Sequence, residues 1–296
     1  MFKINSKKKK GLNYVELQNP SKTTKAKICL DQGARIVSLK FKDNFIIKEQ
    51  PDFDYKDSYA SSILFPFASR IKQGKYAFEG NDYQFETNDG DNALHGLVYN
   101  KKFELFESEE HKDNCAATFN YYEKNESKGF PFMYFLSVTY ILFEDCLKVR
   151  VTVKNTDTKS FPFTLGWHPY FNSTDLKNSY VSFKSDQKVE FDKTLITKKV
   201  IAQTSPEIFK IDEQQLDDCF ILKDDNVSFT TPTYKIDITA DSEENFLQLY
   251  TPKGFDVIAI EPMTGISDTF NNKIGLQVLE ADKTYVLNWD LKFSAD

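Results

Sequence analysis

Two stretches of the chain deliver a proton-handling side chain on a backbone with few alternatives. In Phe163-Thr-Leu-Gly-Trp-His168-Pro169 and in Phe255-Asp-Val-Ile-Ala-Ile-Glu261-Pro262, an apolar, β-branched or aromatic run ends on an ionisable residue followed by proline. The residue before proline is driven out of the α region into extended geometry. Each stretch therefore reads as a strand that ends on its ionisable side chain. An imidazole can donate or accept a proton near neutral pH. A carboxyl partly withdrawn from water has its pKa raised, which makes it a better base at pH 7. A histidine and a glutamate placed this way suit an acid and a base working on one substrate. Each also has a plainer explanation. A lone histidine among aromatics is by default a satisfied core residue, and a carboxylate closing a buried run can simply be capped by hydrogen bonds, since burying it unpaired is costly.

Five further positions carry chemistry-bearing side chains. Arg70, in Phe65-Pro-Phe-Ala-Ser-Arg70-Ile71, is an arginine inside an apolar segment. It either pairs with a carboxylate or offers its rigid fork of donors to adjacent hydroxyls. His95 lies in the turn-rich segment Asp91-Asn-Ala-Leu-His95-Gly96, where a surface loop histidine is the alternative. His111 sits in a charged, solvated loop and is assigned no role. The adjacent pair Asp217 and Asp218 precedes the short apolar run Phe220-Ile-Leu222. The pair reads as an exposed turn or as one aspartate facing inward.

The elements that must position these residues are strands. The clearest is residues 147–154, strict alternation with a basic or hydroxyl residue at every outward position. That is the signature of a half-buried antiparallel strand. Residues 118–122, 135–142, 234–239, 246–250 and 284–291 read similarly. Turn signals at Lys128-Gly129, Asn155-Thr-Asp157, Asp224-Asp-Asn226 and Lys253-Gly254 separate them. Helical periodicity is scarce, with one short turn expected at residues 205–210. The composition agrees: 27 Phe and 15 Tyr among 296 residues favour strands. No internal repeat, linker or low-complexity tract divides the chain, so residues 1–296 are expected to form one all-β domain, a large antiparallel sandwich.

Composition also excludes function classes. The net charge of −6 lacks the basic footprint of a nucleic-acid binder. The one basic cluster, Lys7 to Lys10, reads as a solvated turn between strands. Glycine-rich phosphate loops and the H-E-x-x-H metal motif do not occur. The four cysteines are scattered without C-x-x-C spacing, which argues against a zinc or redox site. The first residues lack the apolar region of a signal peptide, and no stretch has the length of a membrane span. A cytoplasmic protein with free thiols, bound to neither nucleic acid nor membrane, is the expectation.

Taken in order, these pieces resemble the aldose 1-epimerase (galactose mutarotase-like) family over nearly the whole chain. The segment ending Ser69-Arg70-Ile71 is similar to the family's Asn-Arg-Ile. Gly80-Asn-Asp-Tyr83 through Asn88 to Leu94-His95-Gly96 resembles its Leu-His-Gly block, and His168-Pro-Tyr-Phe-Asn172 its His-Pro-Tyr-Phe-Asn motif. Leu216-Asp217-Asp218-Cys-Phe220 looks like its Asp-His-x-Phe segment, with aspartate replacing that histidine. Gln248-Leu-Tyr250-Thr251 and Glu261 through Asp268 to Asn271 resemble the strand and the segment that carries the family's base. The resemblance implies a β-supersandwich, no metal or organic cofactor, and a monosaccharide substrate whose α and β anomers are exchanged by a monomer or homodimer. It implies Glu261 as base and His168 as acid. His95 would be a second donor, and Arg70 and Asp217 would hold sugar hydroxyls. Alternatives within reach are a hexose-6-phosphate mutarotase, with Lys72 and Lys75 near Arg70, a non-catalytic sugar-binding protein, or a glycoside hydrolase. The last would need a second carboxylate flanking the scissile bond.

Overall fold

The computed structural model describes residues 1–211 and 215–295. Among them, the fold is all-β, built on three antiparallel sheets. A five-stranded meander opens the chain (Lys3–Lys9, Leu12–Gln18, Thr24–Cys29, Arg35–Phe41, Asn44–Lys48). A nine-stranded sheet has the long strands Cys115–Lys124, Met133–Leu142, Cys146–Asn155 and Thr284–Ser294 at its centre. An eight-stranded sheet contains Ser185–Phe191, Asp217–Leu222, Phe246–Tyr250 and Val257–Met263 in that order, then the short pieces Gly166–Trp167 and Tyr170–Asn172.

Period-two patterning decides how the sheets face each other. In Cys146–Asn155, Leu147, Val149, Val151 and Val153 are buried while the intervening residues are exposed or half-buried. The inward faces of the nine- and eight-stranded sheets share one core, in which Trp167 stacks on Trp289 with ring centroids 6.0 Å apart. That contact fixes the backbone next to His168. The meander is tied to the sandwich by the buried Tyr140 hydroxyl, which donates to the Ala34 carbonyl at 2.8 Å.

Several local expectations change. Residues 205–210 form no helical turn: Phe209–Lys210 is a strand laddered to Tyr180–Ser182, because the Phe209 ring packs on Phe183 and Phe220. Lys7 to Lys9 belong to the first strand, and the turn itself is Lys10-Gly11, both at positive φ. Two one-turn helices without a clear sequence signal occur, Tyr55–Ser58 and Thr269–Asn272. All four cysteines are free.

Candidate active site

The strand Val257–Met263 sets the position of Glu261. It does not end there, as the proline that follows suggests. Its ladder to Phe246–Tyr250 runs on through Leu247 opposite Pro262 to Phe246 opposite Met263. Proline removes a donor but keeps extended geometry. Pro262 lies where the next strand is already broken, between Gly166, opposite Met263, and Tyr170, opposite Ala259. His168 occupies that break, directly after the short strand Gly166–Trp167. Its N–H donates to the Ser62 carbonyl at 3.0 Å, and its carbonyl accepts from the Ser61 N–H at 2.8 Å.

Register then places the remaining groups. Gln248 lies opposite Glu261, and Asp217 opposite Tyr250, so all four share one face of the sheet with Tyr170. Asp218, one residue on, points to the other face and pairs with Lys188 at 2.5 Å. The adjacent aspartates are therefore divided: Asp217 lines the pocket and Asp218 does not. Asp217 Oδ1 accepts from Gln248 Nε2 at 2.7 Å.

A second wall comes from a two-stranded ribbon in which Leu94 opposes Arg70. His95 follows Leu94 at φ 61, and its N–H donates to the Ser69 carbonyl at 2.9 Å. Gly96 beside it, at φ 72, packs on the backbone of Phe65, where a Cβ would stand 2.2 Å from the carbonyl oxygen. Only glycine allows that approach. Asn88 braces the same turn, accepting from the Leu94 N–H at 2.7 Å and donating to the Tyr59 hydroxyl at 3.0 Å. Arg70 does meet a carboxylate, donating from Nε to Asp89 Oδ2 at 2.6 Å.

Together these elements enclose a pocket of about 340 Å³ lined by all five expected site residues: Arg70, His95, His168, Asp217 and Glu261. His168 Nε2 and Glu261 Oε1 stand 3.4 Å apart, with side chains only 6% and 3% exposed. The His95 ring meets His168 edge-on with centroids 4.9 Å apart, and Tyr170 stacks on His168 at 5.0 Å. Tyr59, Asp89, Tyr170, Gln248 and Tyr250 also line the pocket. Tyr170, Gln248 and Tyr250 lay within segments already singled out. Tyr59 and Asp89 lacked a signal beyond the general turn character around Asp89.

The electrostatics favour neutral forms. Burial holds the Glu261 carboxyl well above the usual range, the nearby Asp217 adds to this, and Arg70 opposes it. Burial pulls the His168 imidazole down to about 4. His95 lies well below its ordinary value, first from burial, then from His168 and Arg70. Asp217 is raised by burial, against the pull of Arg70. In the folded pocket one proton is therefore favoured on the carboxyl side of the His168–Glu261 pair.

The aldose 1-epimerase family profile matches residues 14–292. The uncharacterized Escherichia coli protein YihR is 24% identical over 88% of this chain and 87% of its own length. Pig galactose mutarotase is also 24% identical, over 60% of this chain and 55% of its own. In structure, a galactose mutarotase-like protein from Clostridium acetobutylicum superposes with a TM-score of 0.91 at 19% identity, covering 100% of this chain and 99% of that one. A galactose 1-epimerase from Lactobacillus acidophilus gives 0.82 at 16% identity, again over 100% and 99%.

Proposed function

Since the chain belongs to the aldose 1-epimerase family, we propose that it interconverts the α and β anomers of a free aldose, with Glu261 as base and His168 as acid. The observation that carries this reading is the His168–Glu261 pair, 3.4 Å apart and withdrawn from water inside a pocket with room for one sugar ring.

Ring opening needs a proton taken from the C1 hydroxyl and one given to the ring oxygen. Glu261 as carboxylate accepts the first, and His168 as imidazolium gives the second. The electron pair of the former O1–H bond becomes the carbonyl π bond, and the C1–O5 pair goes to the ring oxygen. Rotation about C1–C2 presents the other carbonyl face, and closure runs the transfers backward. The pair carries one proton throughout: on imidazole while the sugar is cyclic, on the carboxyl while it is open. The pocket's own preference for neutral groups rests that proton on the carboxyl, so its shift to the imidazole with the cyclic sugar bound is part of the barrier, and the open-chain arrangement regains the neutral pair. General acid and base catalysis each contribute roughly 10²–10⁴-fold.

Arg70, His95 and Asp217 are read as hydroxyl-binding and orienting groups. Asp57, Asp89, Asp217 and Glu261 line the pocket against one arginine, so a neutral sugar suits it better than a hexose 6-phosphate. Lys72 and Lys75 are not among the lining residues. A non-catalytic sugar binder would not need both the acid and the base that this pocket retains.

The test is to dissolve α-glucose and α-galactose and follow anomer exchange by polarimetry or NMR. Acceleration over buffer is expected for at least one of them. Unaltered rates with every aldose tried would overturn the proposal.

A further inference from the structure

The outward face of the nine-stranded sheet sorts its charges strand by strand. On the edge strand Glu104–Glu110, the outward residues Glu104, Glu107 and Glu109 register opposite Asn120, Thr118 and Ala116. The fourth strand, Cys146–Asn155, turns Lys148, Arg150 and Lys154 to the same side. Between them lie Cys115–Lys124 and Met133–Leu142. From Ala116 to Tyr122 and from Met133 to Ile141, every residue on the outward face is uncharged. Its apolar members are open to solvent, Tyr122 at 60% and Met133 at 38%, and the Phe135 ring packs on Tyr122 at 4.7 Å. A centre depleted of charge and enriched in aromatics, with charges at its rim, is the make-up of a protein interface.

Strand register gives this sorting a symmetry. Residues opposite one another across the four strands form rows: Glu107, Thr118, Thr139 and Arg150 make one, and the next runs from Glu109 to Lys148. Each row passes from acid to base through a neutral centre. A two-fold axis parallel to the strands, above the seam between the two middle ones, lays each row on the same row of another copy, reversed. Glu107 then meets the partner's Arg150, and Glu109 meets the partner's Lys148. Tyr122 falls on the partner's Phe135. We propose that this face seats a second copy of the chain in an isologous dimer. Sheets packed face to face sit about 10 Å apart with their strands nearly aligned, a gap that long charged side chains span. Within the chain, Lys148 already meets Asp290 at 2.9 Å and Glu109 meets His111 at 3.2 Å. The main new pairing therefore falls to Glu107 and Arg150, which donates from Nε to Asn288 and keeps its forked end for a carboxylate. Four strands about 4.8 Å apart and about ten residues long give a footprint of roughly 600 Å² per copy. That is the low end of the stable range, so the dimer should form at micromolar concentrations and weaken with salt. The pocket around Glu261 opens on the opposite side of the eight-stranded sheet, so both pockets stay accessible.

Sedimentation velocity across the micromolar range tests this. A reversible monomer–dimer equilibrium is expected, shifted to monomer by high salt. Thr139→Arg, at the uncharged centre, should abolish the dimer. Glu107→Arg and Arg150→Glu should each raise the dissociation constant by about tenfold or more. Mixed in equal amounts, these two variants should form a heterodimer, because each supplies the charge that the other lacks. The chain carrying both changes should dimerise like wild type. Glu107 and Arg150 are exposed, so melting temperatures should stay near wild type in all of these charge variants. A monomer at every concentration overturns the proposal and leaves the face to a partner of another kind. A dimer that persists in Thr139→Arg overturns it as well, and so do charge variants that are weakened but not rescued by mixing.

Discussion

The two faces of the strands Phe246–Tyr250 and Val257–Met263 are made of alternating residues of the same short segments, yet they do opposite things. One face carries Leu247, Leu249, Ile258 and Ile260, all buried in the core shared with the nine-stranded sheet. The other carries Gln248, Tyr250 and Glu261, bracketed by two small apolar clusters around Met263 and around Val257. Stability is concentrated on the first face. The second holds groups whose burial costs stability: a carboxyl pushed up in pKa and an imidazole pulled down. A one-residue step along the strand thus separates a residue that holds the fold from one that strains it.

The largest expected effect tests that division directly. Glu261→Gln should lower anomer exchange by roughly 10²–10⁴-fold, about 3–5 kcal/mol of barrier. It should not destabilise the fold at pH 7. The folded-state pKa of Glu261 is raised, so the stability it contributes is complete below the unfolded value near 4.5 and is lost as pH rises through the folded value. Glutamine removes that loss. The melting temperature of the variant should equal wild type near pH 4 and exceed it at pH 7–8. Ile260→Ala, one residue earlier, should show the reverse: a loss of about 2–5 kcal/mol of stability, with activity per folded molecule retained. If Glu261→Gln melts well below wild type at pH 7, or stays active, the two faces are not divided as described.

The pH dependence sharpens the same contrast. The proposed catalysis needs one proton on the His168–Glu261 pair. Below about pH 4 both groups hold protons and the base is lost. Above the raised Glu261 value both are bare and the acid is lost. The rate profile should be bell-shaped, with limbs that belong to the pair rather than to either residue. His168 also affects stability. Its folded pKa of about 4 lies below the ordinary 6.5, so folding favours the neutral ring. That contribution is complete above pH 6.5 and is lost as pH falls from 6.5 to 4. The difference corresponds to about 3 kcal/mol. His168→Gln should flatten this part of the stability curve, and a denaturant series at pH 4, 5, 6 and 7 would reveal whether it does.

How much of this could be read from the sequence differs by residue. The strands were legible because alternation is a direct record of one wet and one dry face, as in Cys146–Asn155. The His168 and Glu261 backbones were legible in part: proline fixes extended geometry, but it does not say whether a strand stops, and Val257–Met263 continues. The strand Phe209–Lys210 was missed because a two-residue ladder held by the Phe183 and Phe220 rings has no period to detect. Tyr59 and Asp89 were missed because they enter the pocket only through long-range contacts, Tyr59 through Asn88 and Asp89 through Arg70.

Asp217 and Asp218 give the smallest expected effect and the cleanest comparison, because nothing in composition separates them. Asp217 faces the pocket, half-buried, with Gln248 holding one oxygen and the other available to a sugar hydroxyl. Asp218 faces away and pairs with Lys188, about a quarter exposed on each side. A pair that accessible contributes roughly 0–1 kcal/mol. Asp217→Asn keeps the size of the side chain but replaces a charged acceptor, so KM should rise about tenfold, the worth of one charge-assisted hydrogen bond, while kcat changes little. Asp218→Asn should leave both constants within about twofold and lower stability by less than about 1 kcal/mol. The sheet's two-residue period is the only thing that assigns these different outcomes to identical neighbours. Equal kinetic effects at the two positions would mean that the register of Asp217–Leu222 against Phe246–Tyr250 is shifted by one, and that the pocket presents Asp218 instead.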